Sequence, residues 1–275
     1  MESAFWESVA ADGHRVPADR PLAELTSELT TMLGDSDPHI RDDIAASTLT
    51  AWIAEGVYDQ LLEGLGDGMA AGLVVGLGTT ASDTVFRRGR SATVLEACIR
   101  RDNQHGLTRP DTVLRWGDRL MSWYVRERDL RAEVPGKGTA GNLGRGADAL
   151  RELTRSPHLD RLELTVVLDL VADRLTAPTE FRAALAEVDA LAAATLTLLR
   201  RDLLPIEMLD PWARRLVATA SGNDTGEAVG ENIRVFVRAL YVQLTLAPAQ
   251  PACRADLLLS LVGAIKRLHP GILQA

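Results

Sequence analysis

Cysteine, lysine and long apolar runs are scarce in this 275-residue chain, and each scarcity excludes a class of protein. The two cysteines, Cys98 and Cys253, belong to no Cys-x-x-Cys pair, so neither a zinc ribbon nor a disulfide framework is indicated. No apolar stretch is long enough to span a bilayer, and the N-terminus lacks a basic flank followed by an apolar run. We therefore expect a soluble protein of the reducing cytoplasm that has no membrane partner.

Basic charge comes almost entirely from arginine, because Lys137 and Lys266 are the only lysines among 30 basic residues. The formal net charge is −8, whereas nucleic-acid-binding proteins concentrate basic charge on one face. We therefore expect no nucleic-acid partner. The alternation of arginine and acidic residues is typical of ion pairs on and between helices.

Strand signals are also missing, since no segment alternates apolar and polar residues between hairpin turns. Apolar residues instead repeat at helical spacing, as Leu22, Leu25 and Leu29 do, and Asp37-Pro38 and Asp210-Pro211 are typical of helix starts. The pattern predicts an all-α fold of about eleven helices with short connections. Antiparallel helix pairs stacked into an α-α superhelix and a compact helical bundle are both consistent with it.

One long interruption divides the helical pattern. Residues 20–275 are predicted to form a single helical domain, with 20–131 and 143–275 as two packed halves around a loop at 132–142. Residues 1–19 lack clear periodicity and are predicted to form a loose N-terminal arm, although Phe5 and Trp6 could dock on the body.

The stretch from Asp129 to Asp148, which contains this loop, has five glycines, a proline and Lys137. Glycine permits backbone conformations that other residues avoid, and polar loops on a rigid scaffold are common places for sites. The segment Gly136–Thr139 differs from a phosphate-binding loop, because glycine and not serine or threonine follows the lysine. The stretch nevertheless remains the best candidate for a site.

The first functional hypothesis is a polar cleft around this loop that binds a small polar or anionic molecule, with or without a chemical step and without a metal or other cofactor. An aspartate would act as base or orienting group, and the candidate catalytic residues are Asp83, Asp129, Lys137 and Asp148. Arginines would hold an anionic group and a tryptophan would stack, so the candidate ligand-binding residues are Arg87, Arg88, Asp102, Trp123, Arg131 and Arg145.

The second hypothesis is a non-catalytic scaffold that binds a protein segment on the concave surface of stacked helices. A deep pocket that holds several charges with unusual pKa values would favour the first hypothesis. A shallow, extended groove with apolar anchors would favour the second. The sequence leaves both open.

Several separated motifs occur in an order and spacing that resemble a bacterial family, the domain of unknown function 2785, over roughly residues 29–204. The segments that carry the resemblance are Gly34–Leu49, Asp83–Ala92, Asp129–Gly138, Gly146–Leu150 and Arg155–Leu159. The resemblance implies a helical, HEAT-like fold and no established activity. It also implies two histidines one helical turn apart, at positions that are Gly141 and Arg145 here, and a tryptophan where this chain has Thr139. A metal site is therefore not expected.

Overall fold

The structure, a computed structural model, describes residues 2–222, 224–269 and 271, and within them the chain is almost entirely helical. The α-helices of this part of the chain are α1 (Glu2–Ala11), α2 (Leu22–Met32), α3 (Ser47–Ala54), α4 (Leu62–Gly72), α5 (Thr84–His105), α6 (Pro110–Arg126), α7 (Asn142–Arg155), α8 (Arg161–Thr176), α9 (Leu185–Leu199), α10 (Ile206–Ala220), α11 (Glu227–Leu246) and α12 (Arg254–Leu268). A π-helical segment, His39–Ala46, runs directly into α3, and two short strands, β1 (Glu133–Val134) and β2 (Gly138–Thr139), pair antiparallel. The predicted all-α fold is confirmed.

The chain forms two compact units, Met1–Ala149 and Leu150–Ala275, and the division falls within α7. The loop at 132–142, for which the sequence predicts a place between two halves, lies inside the first unit. The reason is that its backbone carbonyls are bound by side chains of the same unit, as described below.

The N-terminal segment is helical where the sequence predicts a loose arm. Residues Glu2–Ala11 form α1, and Trp6 of this helix is 1% exposed. The Trp6 indole N–H donates to Glu28 Oε2 at 3.1 Å, and its ring lies 6.4 Å from the ring of Trp52. Burial of one large aromatic side chain therefore orders a segment whose apolar periodicity is weak.

Helix α5 forms the centre of the first unit and packs against α3 and α4. Its apolar residues Val85, Phe86 and Leu95 are fully buried, and so are the charged residues Arg88 and Arg90. The helix is thus buried nearly all round, which an amphipathic pattern does not predict.

The close contact between α4 and α6 depends on a glycine of α4. A Cβ atom added at Gly66 would lie 2.2 Å from the Trp116 ring of α6. Only glycine therefore allows the two helices to approach at this point, and Trp116 is fully buried there.

In the second unit α9 packs against α11, and α10 packs against α12. Helix α8 begins with a capping box formed by Asp160 and Glu163. Helix α10 begins at Ile206, earlier than the helix start predicted at Asp210-Pro211, so Pro211 lies inside it. Proline has no backbone N–H, so the hydrogen bond to the carbonyl four residues earlier is absent there.

None of the described helices combines the length and apolarity that crossing a membrane requires.

The contact of α1 with the π-helical segment is pH-sensitive. His39 lies between Glu7 and Asp43, with ring nitrogens 2.7 Å from Glu7 Oε1 and 3.0 Å from Asp43 Oδ2. Hydrogen bonds to Asp43 and then to Glu7 raise the pKa of His39 above 6.5. The folding stability that this contact contributes should therefore be fully present below pH 6.5. It should be lost as the pH rises through the raised pKa of His39.

We expect Glu7→Gln to lower the pKa of His39, measured by NMR titration of its ring protons, because one of its two carboxylate partners is lost. His269, in the second unit, is the internal reference, and its pKa, which burial lowers, should be the same in both proteins. An unchanged pKa of His39 in the variant would contradict the assignment.

Candidate functional site

The predicted loop is a small β-hairpin. Glu133 pairs with Thr139 and Val134 with Gly138, and the Lys137 N–H donates to Val134 O at 2.9 Å. The turn uses left-handed backbone at Gly136, with φ of +74°, and Gly138 has φ of +75°. The glycines of this stretch thus shape a turn. The strands were not predicted, because two residues are too few to show the alternation of apolar and polar residues that is typical of a strand.

The carboxylate of Glu127, immediately after α6, lies at the centre of the first unit. It is 2% exposed and forms a two-point ion pair with the fully buried Arg88 of α5, with Nε–Oε2 and Nη2–Oε1 distances of 2.5 and 2.9 Å. It also accepts hydrogen bonds at 3.0 Å from the Trp123 indole, the Asn142 side chain and the Asp129 backbone N–H. One buried charge therefore joins α5, α6, the segment before the hairpin and the start of α7.

The roles predicted for Arg88 and Trp123 do not fit their positions. Arg88 also donates to the carbonyls of Val75 and Gly76 at 3.0 and 3.1 Å, so its guanidinium is occupied within the fold. Trp123 is fully buried against Tyr124 and has no face for a ligand to stack on. Both side chains donate hydrogen bonds to Glu127, a residue that sequence reasoning missed, so their role is structural.

Two of the predicted carboxylates are paired. The fully buried Asp129 accepts hydrogen bonds from Arg131 Nε and Nη2, both at 2.7 Å, and this contact raises the pKa of Arg131. Asp83, at the start of α5, lies 2.5 Å from Lys137 Nζ, and both side chains are partly exposed. The Asp83–Lys137 pair holds the hairpin to the start of α5, whereas the Asp129–Arg131 pair lies within the segment before the hairpin. Neither carboxylate is placed as a poised base.

Asp102 is remote from this region. It lies near the C-terminal end of α5, about 28 Å along the helix from Asp83 at 1.5 Å per residue. It is 2% exposed, and its Oδ1 accepts the backbone N–H groups of Leu107 and Thr108 at 2.8 and 2.7 Å. Its position indicates a role in shaping the turn between α5 and α6.

Three arginines meet beside the hairpin, and two of them were not predicted. Arg41 of the π-helical segment and Arg90 of α5 are 0% and 1% exposed, and both donate to the carboxylate of Asp42. Burial by itself would raise the pKa of Asp42, but the hydrogen bonds from Arg90 and Arg41 outweigh it, so that the pKa is lowered. The third member of this arginine cluster is Arg145 of α7.

The arginine cluster is held in place by the hairpin's own backbone. Arg41 Nη2 donates to Lys137 O, Arg90 Nη2 to Thr139 O and Arg145 Nε to Ala140 O, each at 3.0 Å. The hairpin therefore orients the three guanidinium groups, and they in turn fix the hairpin.

Arg145 differs from the other two because its contacts are neutral. It donates to Ala140 O and to Thr93 Oγ1, at 3.0 and 3.2 Å, and it forms no ion pair with a described residue. Burial, and next the positive charge of Arg90, lower the pKa of Arg145 to about 10. The group is still charged at neutral pH. Asp148, half-buried on the same helix, partly offsets this effect.

Arg87, another of the predicted ligand-binding residues, also forms no ion pair with a described residue. It is half-buried, its Nε has no hydrogen-bond partner, and burial lowers its pKa. Its side chain packs near Gly34 and Gly72, whereas Arg145 packs near Gly89, about 200° away around α5 at 100° per residue. The two arginines therefore do not share one site.

Three clefts are formed by other residues. One of about 750 Å³ lies along α2 and α4, and one of about 400 Å³ lies between α1, α2 and the π-helical segment. The third, of about 560 Å³, lies between α9 and α11 in the second unit. The predicted catalytic and ligand-binding residues line none of these three.

The two positions at which the sequence resemblance implies histidines are Gly141 and Arg145. Gly141 has φ of +60°, a conformation that disfavours a side chain, and Arg145 turns back to Ala140 O. Across the described residues, no group of three or more His, Cys, Asp or Glu side chains is arranged to hold a metal ion.

Comparison with known proteins identifies one family. A family model described as "Protein of unknown function (DUF2785)" matches residues 73–244, which is more than half of the chain. The resemblance inferred from the separated motifs is thereby confirmed. No curated protein and no solved structure matches the chain significantly.

The central position of Glu127 gives a stability prediction. Glu127→Ala should lower the free energy of unfolding by about 3–5 kcal/mol, because it leaves the buried Arg88 charge without its partner. The matched control is Glu227→Ala, which removes the exposed pair with Arg182 and should cost at most about 1 kcal/mol. Urea unfolding followed by circular dichroism measures both, and equal losses would show that Glu127 is not central.

Proposed function

The chain belongs to the DUF2785 family of proteins of unknown function, and we propose that this member binds a small anionic molecule at the arginine cluster, with Arg145 as the contacting residue. The observation that carries the proposal is an imbalance of charge. Three guanidinium groups, those of Arg41, Arg90 and Arg145, are grouped around the single paired carboxylate of Asp42.

A bound anion would lower the electrostatic free energy of the charged Arg145 side chain. The pKa of Arg145 is lowered by burial and by the neighbouring charge of Arg90, and the carboxylates of Asp42 and Asp148 compensate its charge only in part. A bound phosphate, sulfate or carboxylate group would supply the missing negative charge. Arginine suits such groups because its planar fork can donate two parallel hydrogen bonds.

Arg145 also has donors available and a fixed orientation. Its Nη2 group makes no hydrogen bond to a described residue, whereas Nε and Nη1 are held by Ala140 and Thr93. It lies in the first turn of α7, where the helix dipole adds positive potential. Arg145, Thr93 and Asp148 are each partly exposed, so solvent can reach the cluster at Arg145, although Arg41 and Arg90 are buried.

The proposal is for binding and includes no chemical step. Of the four candidate catalytic residues, Asp83 and Lys137 pair with each other and Asp129 pairs with Arg131. Their charges are therefore already used within the fold. Asp148 acts on Arg145 through its negative charge, which raises the pKa of that guanidinium.

We expect inorganic phosphate or pyrophosphate, added at constant ionic strength, to raise the thermal unfolding midpoint of the native protein. At ten times the dissociation constant the rise should be about 2 °C or more, because ligand binds only the folded state. Arg145→Gln should lose this response, whereas Arg145→Lys should retain part of it through its charge.

Arg214→Gln is the control, since Arg214 is an exposed arginine that pairs with Asp210 in the second unit. Its response to the anions should equal that of the native protein. An equal rise in native protein and Arg145→Gln would mean that the anions act elsewhere. No rise with either anion would rule out the proposed site for phosphate groups.

A second candidate function is a protein-interaction scaffold of HEAT-like helix pairs, and exposed apolar side chains in the second unit favour it. Leu185 of α9 and Val242 of α11 are 66% and 48% exposed and line the 560 Å³ cleft, and Leu246 is 75% exposed one helical turn beyond Val242. Replacing Leu185 and Val242 with serine should abolish binding of a protein partner and leave the phosphate response unchanged.

We also propose that the protein acts in the cytoplasm. Both cysteines are free thiols, and burial raises the pKa of each, which makes them slow to oxidise. Free thiols of this kind are compatible with a reducing compartment.

A further inference from the structure

We infer that the cleft of about 750 Å³ in the first unit is a second binding site, for a small, neutral, largely apolar molecule that carries a hydroxyl or carbonyl group. It is formed by α2, the turn at 57–61, α4 and the residues that follow α5. The size is within the range of ligand pockets, about 300–1,000 Å³. The inference is independent of the anion site proposed above.

Two glycines of α4 form the floor of this cleft, and the fold does not require them. A Cβ atom added at Gly64 or at Gly68 would meet nothing within 4 Å. In contrast, a Cβ at Gly66 would meet the Trp116 ring at 2.2 Å, so that glycine is needed for packing. Glycine inside a helix is unfavourable relative to alanine. Gly64 and Gly68 therefore reduce the stability of helix α4 although packing does not require them. Their effect is to leave the floor of the cleft free of side chains.

The lining is mainly apolar. Leu61, which is 57% exposed, stands at one wall, with Leu22 of α2 at another, and the buried Leu65 and Met69 complete the apolar surface. A flat apolar molecule could lie on the exposed backbone of Gly64 and Gly68, where no side chain intervenes. Burial of its surface would supply the favourable free energy of binding.

The charges at the cleft are already compensated. Asp59 receives two hydrogen bonds from Arg101, at 2.8 and 2.7 Å, and Glu63 accepts from Thr112 Oγ1 at 3.2 Å and from the Arg109 backbone N–H at 3.3 Å. The residues that line the cleft include no arginine or lysine. A cation would find the carboxylates occupied, and an anion would find no counter-charge, so a neutral ligand fits best.

Hydroxyl groups at the cleft offer polar contacts. Thr26 Oγ1 donates to Leu22 O at 2.7 Å, so the 2.8 Å contact between Thr26 and Tyr58 is donated by the Tyr58 hydroxyl. Burial raises the pKa of Tyr58 to about 12, so this hydroxyl is neutral at physiological pH. Thr30 of α2 and Gln60 also line the cleft and can bond a hydroxyl or carbonyl group.

Replacing Gly64 or Gly68 with a larger residue should fill the cleft without destabilising the fold, which allows a direct test. The probe is N-phenyl-1-naphthylamine, a neutral apolar dye that fluoresces on leaving water, titrated into the full-length native protein. Gly64→Leu and Gly68→Leu should each weaken its binding at least tenfold. Each should also keep or raise the thermal unfolding midpoint, because the new side chain meets open space and leucine favours helix.

Gly263→Leu is the matched control. Gly263 lies inside α12 of the second unit, where an added Cβ would meet only the end of Arg267 at 3.8 Å. This variant should bind the dye as the native protein does. Three results would overturn the inference: no binding to native protein, equal binding by Gly64→Leu and Gly68→Leu, or a lowered unfolding midpoint in both, which would show that the fold itself requires these glycines.

Discussion

The buried ion pair between Arg88 and Glu127 is the interaction on which the rest of the first unit depends. Removing two charges from water is costly, and the cost is offset only when every donor and acceptor finds a partner. Here Glu127 receives five donor groups, and Arg88 additionally holds the carbonyls that follow α4. Loss of one partner would leave the other charge buried, so the pair stabilises a single arrangement of α5, α6 and the hairpin.

The hairpin links this structural network to the proposed anion site. Its carbonyls orient Arg41, Arg90 and Arg145, and only Asp42 pairs with members of the cluster at ion-pair distance among the described residues. The result is local positive potential in a chain whose net charge is −8. The cleft along α2 and α4 is of the opposite kind, apolar and charge-compensated, so the two proposed sites would select chemically different ligands.

Sequence reasoning grouped polar residues around the hairpin, but it assigned catalytic or ligand-binding roles to several side chains that pair within the fold. It placed Arg131, Lys137 and Arg145 near one another, and the structure brings all three to the hairpin. It missed Glu127, Arg41 and Arg90, although the two arginines lie in segments that carry the family resemblance. The partners are far apart in sequence, 39 residues for Arg88 and Glu127 and 48 for Arg90 and Asp42, and no local pattern encodes such pairings.

The sequence by itself determined the all-α class, the family and the glycine-rich position of the hairpin, because helical periodicity, motif order and turn residues are local properties. Only the tertiary structure decided which charged residues are buried. An arginine on the surface and one at the centre of α5 look alike in sequence, yet Arg88 is fully buried and paired with Glu127, whereas its neighbour Arg87 is half-buried and has no ion pair with a described residue. Burial and pairing depend on contacts between distant segments, and these contacts hold Arg145 in one orientation without an ion pair to any residue that the structure describes.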